Sequence, residues 1–219
     1  MVQLRFFALV LVAGCATELA LAEEVSDAQI EKFVAQLASP NKAPRIVIPV
    51  HPDYDPKFDH EGQKKVCAAW HKLRDLAPRS FPFLFDHFSD DRYALTEDAG
   101  DFYKNYSVGF LCRDILVSNL HPDVWDHKEF GTAFRRRPHQ PDYVEHFKLL
   151  EPKSAREWYR TRTGLSLREL QIEVVEWVLQ EEERLTKTYT NEDREAVRRE
   201  LTELKASREP RRPSYPFAK

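Results

Sequence analysis

Ser26-Asp-Ala-Gln29 is followed by apolar residues at Ile30, Phe33, Val34 and Leu37. A hydroxyl residue with Gln or Glu three positions on satisfies the open N–H groups of a helix start. The i, i+3, i+4, i+7 stripe behind it gives that helix one face to bury. The arrangement recurs: Ser166-Leu-Arg-Glu169 opens a stripe of Leu167, Leu170, Val174 and Val178, and Ser154-Ala-Arg-Glu157 offers a third capping box. Caps with a helical period behind them constrain this chain more than any other feature. Each such helix must bury its stripe against a neighbour. Only six Gly are present, against fourteen Pro, and Glu, Arg, Leu and Ala are plentiful. That balance favours helices over sheets with tight hairpins. The expected class is all-α.

Further signals place the remaining helices. Ser39-Pro40-Asn41 closes the first one, and Gly164 is a break before the helix at Ser166. Val66, Ala69, Trp70, Leu73 and Leu76 share a face on a helix expected over 61–77, with Asp59 as its N-cap. Pro82 suits the first turn of a following helix through Phe83, Leu84, His87 and Phe88, where a missing N–H costs little. A strongly charged helix is expected from about Glu192 to Ala206. The tail that follows, 207–219, is Pro-rich and is expected to be disordered. A single helical domain over 25–206 accounts for the middle of the chain, which is long enough to bury roughly 70% of its unfolded surface without staples.

The first 22 residues read as an address. Arg5 precedes an apolar run from Phe6 to Ala13, and Ala20-Leu21-Ala22 stands before Glu23-Glu24. This is the charged start, apolar middle and A-x-A end of an export signal, and the run is too short for a permanent transmembrane helix. The residues leave two cleavage sites open. Val12-Ala13-Gly14-Cys15 resembles the lipobox of bacterial lipoproteins, a resemblance that implies lipidation of Cys15 and a membrane anchor. Cleavage after Ala22 would discard Cys15 and release a periplasmic or secreted protein. That cut removes one Arg and one Glu, so the net charge stays at −3, which speaks against a general nucleic-acid binder. Export would expose Cys67 and Cys112 to oxidising conditions. Two separately packed thiols and a Cys67–Cys112 disulfide both fit the residues.

Ala68 to Tyr93, "AAWHKLRDLAPRSFPFLFDHFSDDRY", resembles a HEAT repeat: a small-residue helix, an L-x-x-L turn region and a second helix opening near a proline. Asn105 to Leu120 looks like the first helix of a following unit and Asp27 to Asn41 like the second helix of a preceding one. The resemblance implies antiparallel helical hairpins stacked in a right-handed HEAT/ARM-like arrangement, with 42–59, 94–104 and 121–141 as long loop insertions. No fixed period joins the pieces. The helical layout also resembles that of a family of exported bacterial proteins, which implies no activity.

Chemistry has one conspicuous candidate. "HPDYDPKFDHEG", His51 to Gly62, holds two His and four acidic residues and no Leu, Ile or Val. His51, Asp53, Asp55, Asp59 and His60 are the alternative metal ligands, by residue type. The spacing fails the EF-hand template, since Gly62 falls at position ten from Asp53 and Lys64 stands where a bidentate Glu is required. His60 lacks a partner at i+4, and neither H-E-x-x-H nor C-x-x-C occurs. Pro49, Pro52 and Pro56 suit an extended surface loop. Cys67 and His71 share a helix face at i, i+4, a spacing open to a nucleophile–base pair, although packing explains both. His87, His121, His127, His139 and His146 read as packed histidines, Trp125, Trp158 and Trp177 as wedges between helices, Phe134 to Pro141 as a basic loop, and Tyr159 to Gly164 as a helix end that favours Arg160 and Arg162. No G-x-S-x-G, G-x-G-x-x-G or phosphate-loop motif is present. The expectation is a non-enzymatic exported helical protein, without a cofactor, that presents a surface to a protein partner. The alternative is a metal-binding module or metal-dependent hydrolase built on residues 51–60.

Overall fold

The computed structural model describes residues 25–47, 51–98, 103–120, 141–185 and 190–212. The described residues are mostly helical, with two small antiparallel hairpins among them. In chain order the elements are α1 (Asp27–Ala35), β1 (Arg45–Val47), β2 (His51–Asp53), α2 (His60–Asp75), α3 (Phe81–Leu84), a 3₁₀ turn (Phe85–His87), β3 (Tyr93–Asp98), β4 (Tyr103–Ser107), α4 (Val108–Leu120), α5 (Tyr143–His146), α6 (Pro152–Arg160), α7 (Leu167–Arg184) and α8 (Asn191–Ala206).

The hub is α4. Ten of its thirteen residues are buried, Asp114, Ser118 and Asn119 among them, the pattern of a helix surrounded by protein. It packs on α2, α3, α7 and both strands of the second hairpin. Gly109 permits a close approach to the end of the 3₁₀ turn, because a Cβ there would stand 2.5 Å from the Phe88 carbonyl oxygen. The Gly109 N–H donates to the Asp90 carbonyl at 2.8 Å. Ile30, Val34 and Leu37 of the first stripe, Val66, Ala69 and Leu73 of α2, and Leu167, Leu170 and Val174 of α7 close around α4 in one core. A smaller core of Val175, Val178, Val197 and Leu204 joins the far half of α7 to α8. Arg168, at the start of α7, donates from Nε to the Leu204 carbonyl at the end of α8 at 2.9 Å, so the two helices run antiparallel.

Several expectations hold in detail. Ser26 and Ser166 form full capping boxes, and Asp59 caps α2 through a 2.8 Å bond from the Gly62 N–H. Others need correction. Ser154 caps nothing: Pro152 pre-sets the helical φ two residues earlier, so α6 begins there with Glu151 at the N-cap. The helix expected through Phe88 is only one α-turn and one 3₁₀ turn. Phe81, Leu84, Phe85 and Phe88 still bury on one side, but the polar run Ser89-Asp90-Asp91 ends the element.

The all-α expectation fails at two places. Arg45–Val47 and His51–Asp53 pair as β1–β2, with Arg45 opposite Asp53 and Val47 opposite His51. Tyr93–Asp98 and Tyr103–Ser107 pair as β3–β4, with Thr96 opposite Asn105 and a register shift between Tyr93 and Leu95. Aromatic and β-branched residues there (Tyr93, Thr96, Tyr103, Tyr106) favour strand. The second hairpin is anchored from outside: Gln63 Nε2 donates to the Ala94 carbonyl at 2.7 Å, and Asn105 Nδ2 donates to the Pro44 carbonyl at 2.9 Å. Consequently α4 starts at Val108, not Asn105, with the Ser107 hydroxyl accepting from the Phe110 N–H at 3.2 Å. Of the expected disordered tail, Arg211 and Arg212 are held against the body, while 213–219 lie outside the described residues.

Candidate functional site

Three elements meet at an open cleft. Asp142 caps α5 by accepting from the N–H groups of Val144 and Glu145, which sets Tyr143 inward and Phe147 just past the helix end. The turn from α6 to α7 passes through Gly164 at φ +95°, a backbone region glycine enters without penalty. That turn folds Arg162 back over α6. The cleft so formed encloses about 650 Å³ and is lined by Phe147, Lys153, Ser154, Glu157, Trp158, Thr161 and Arg162.

Its floor is one chain of hydrogen bonds. Trp158 Nε1 donates to the Tyr143 hydroxyl at 2.7 Å, and that hydroxyl donates to Glu173 Oε1 at 2.8 Å. Glu173 also accepts from Arg162, at 2.9 Å from Nε and 2.5 Å from Nη2. The Arg162 Nη1 donates to the Trp158 carbonyl at 3.0 Å, closing the loop. The guanidinium lies 4.9 Å from the Trp158 ring centroid and 6.0 Å from that of Phe147, within cation–π range. Tyr143 packs edge-on against Trp177 at 5.5 Å. Burial pushes the Tyr143 phenol far above its usual pKa, so at neutral pH it is a fixed donor. On the rim, Arg160 pairs with Glu157 and holds that carboxyl below its usual range. Ser154 Oγ donates to Glu151 at 3.3 Å.

These polar groups already hold one another in place. The Arg162 fork is spent on Glu173 and Trp158, and the tyrosine proton is spent on Glu173, a carboxylate already paired with Arg162. The arrangement presents a rigid aromatic and charged surface. It does not assemble a nucleophile, a base and an oxyanion donor around a common point.

The residues singled out by sequence lie elsewhere. Asp53, Asp55, Asp59 and His60 are exposed. Asp55 Oδ1 accepts from the Lys57 N–H at 2.7 Å and Asp59 Oδ1 from Gly62, so two of the acids serve backbone turns. His60 tilts against Phe58 at 5.0 Å. His51 contributes backbone to β2. Among the described residues, no three His, Cys, Asp or Glu side chains are grouped to hold a metal ion. Cys67 and Cys112 are free thiols. Burial raises the pKa of Cys67 and, with Asp90 nearby, pushes that of Cys112 up to about 12. Burial, with help from Arg74, lowers that of His71. Cys67 and His71 are therefore each biased to the neutral form, the opposite of a thiolate–imidazolium pair. Cys15, Trp125, His121, His127, His139 and the basic run 134–140 lie outside the described residues.

Trp158, Trp177 and Arg162 were visible in the sequence as a wedge, a wedge and a helix end. Tyr143, Phe147 and Glu173 were not. The one local signal was Pro141-Asp142, which marks a capped helix start and places Tyr143 in its first turn. No family model matches this chain, and neither does any curated protein or solved structure.

Proposed function

We propose that this chain is a non-enzymatic, exported helical protein and that the cleft between the end of α5, α6 and the turn into α7 is the surface it presents to a protein partner. The observation that carries the reading is the placement of two exposed leucines. Leu150 is 47% exposed just before α6, and Leu165 is 37% exposed just after it. They flank a helix whose Trp158 and Glu157 line the cleft. Trp158 and Arg162, in a stretch bounded in sequence by two exposed leucines and on a scaffold already locked by internal hydrogen bonds, are residue types enriched in interface hot spots. A pre-ordered surface also loses little entropy on docking.

Export is supported by the residue pattern of 1–22, with Cys15 as the alternative lipid anchor. No described helix is long and apolar enough to cross a membrane. The stacked-hairpin reading is supported by the antiparallel α7–α8 pair. A HEAT-like array would continue that pairing along the chain.

The test places a photo-crosslinking side chain at Leu150, at Leu165 and, as a control, at Lys32 on α1, in the chain expressed in its native envelope. One shared crosslinked protein from 150 and 165, absent at 32 and lost on adding Lys153→Glu, is the expected result. Identical products at all three positions, or none at 150 and 165, would refute the reading.

A further inference from the structure

Gln171 sits two residues before Glu173 on α7, about 200° around the helix, and therefore faces away from the cleft. It is fully buried, and its carboxamide is committed to main-chain groups, two of them on one residue. Oε1 accepts from the Arg211 N–H at 2.9 Å, and Nε2 donates to the Arg211 carbonyl at 2.7 Å. The second Nε2 proton goes to the Asn119 carbonyl, also at 2.7 Å. One residue giving and receiving both main-chain bonds on the same side is how a strand is read by its neighbour in a hydrogen-bonded pair. Here a side-chain amide plays the neighbour.

The Arg211 side chain is read as well. Nη2 lies 2.6 Å from Glu203 Oε2 and Nη1 lies 3.5 Å from Glu200 Oε1, both on α8. Arg212 Nη1 donates to the Arg74 carbonyl at 3.0 Å, one of the last carbonyls of α2, which also accepts from the Ala77 N–H at 3.2 Å. Ser207 swings the chain out of α8 into this position by donating to the Glu209 carbonyl at 2.8 Å. The segment thus spans from α8 across α7 to the ends of α4 and α2.

We infer that the junction of α2, α4, α7 and α8 is a peptide-binding groove for arginine-bearing basic segments, and that Pro210-Arg211-Arg212 is its resident ligand in cis. Gln171 recognises peptide backbone whatever the sequence, as an edge strand does. Glu200 and Glu203 supply the preference for arginine, whose guanidinium fork matches paired carboxylates. Only four residues separate the end of α8 from Arg211. So short a tether gives an effective concentration in the millimolar range, and the tail masks the groove from free peptides until something displaces it. This inference stands apart from the cleft: neither site shares a residue with the other.

The test uses the full-length chain with Arg211→Ser and Arg212→Ser, which removes the tail's side-chain contacts to Glu200, Glu203 and the Arg74 carbonyl and so weakens its hold, while leaving the groove residues intact. The probe is a labelled, end-blocked peptide of residues 206–212 followed by fluorescence polarisation. The variant is expected to bind it at least tenfold more tightly than the unaltered chain. Replacing the probe's Arg211 by Ser is expected to weaken binding at least tenfold. Equal binding by variant and unaltered chain, or indifference to the probe's arginine, overturns the inference. Should the double variant fail to fold, Glu203→Gln in the full chain replaces it. Hydrogen exchange at the Arg211 amide should then speed up at least tenfold while Leu73 and Ile115 keep their protection. Unchanged exchange at Arg211 overturns the inference equally.

Discussion

Residues 51–62 and the Tyr143–Trp158–Arg162–Glu173 network are both rich in polar and aromatic side chains, and they behave in opposite ways. In the first, the charges are neighbours in sequence and strangers in space. Tyr54, Phe58 and His60 gather loosely, with Tyr54 4.6 Å from Phe58, and the carboxylates face water or close turns. In the second, residues up to 30 positions apart converge, and every polar atom of the floor ends on another. A carboxylate near its sequence neighbours on an exposed turn stays solvated and gains little from them. One drawn under an aromatic shelf must be paired there, because leaving it alone is expensive.

The contrast predicts where substitutions hurt. Trp158→Ala should be the most damaging, since Trp158 is only 5% exposed and carries both the ring under Arg162 and the first donor of the network. A loss of about 3–5 kcal/mol is expected from the cavity alone, measurable by urea unfolding. Tyr143→Phe keeps the ring and removes the hydroxyl, leaving the buried Trp158 N–H without its acceptor; about 1–3 kcal/mol follows. The same phenol gives a pH signature. Its pKa is raised by folding, so its contribution is complete below its unfolded pKa near 10 and is lost as the pH climbs above that value. The melting-temperature gap between the unaltered chain and Tyr143→Phe should be constant at pH 7–9 and shrink above pH 10. A gap that stays constant through pH 11 would show that the hydroxyl is not held in its neutral form.

What was legible in the sequence was local. The capping boxes at Ser26 and Ser166, the Asp59 cap and the stripes of α1, α2 and α7 each depend on residues within about one turn of one another. Ser154 misled because Pro152, two residues upstream, competed for the same helix start and won. The strands at 93–107 escaped because their anchors, Gln63 and Pro44, come from elsewhere in the chain. The cleft escaped for the same reason on a larger scale: Glu173 looks like a polar flank of an apolar stripe until Tyr143 and Arg162 arrive from 30 and 11 residues away. A cluster of metal-ligand residue types in a short run, by contrast, marked only a capped turn.

The smaller effects sharpen the other half of the comparison. Asp59→Ala removes the α2 cap and should cost about 1 kcal/mol, seen as a modest drop in melting temperature with unchanged spectra. Asp53→Asn should fall within about 0.5 kcal/mol of neutral, because that carboxylate is exposed and surface substitutions away from caps and turns rarely do more. The decisive arm adds calcium or zinc to both the unaltered chain and Asp53→Asn. A ligand that binds only the folded state raises its melting temperature with concentration. With the acids of 51–62 spread along a hairpin and a turn, neither ion should move the unaltered chain and leave the variant behind. A metal-dependent rise of several degrees that Asp53→Asn abolishes would mean these side chains do converge, and the two regions would no longer stand in contrast.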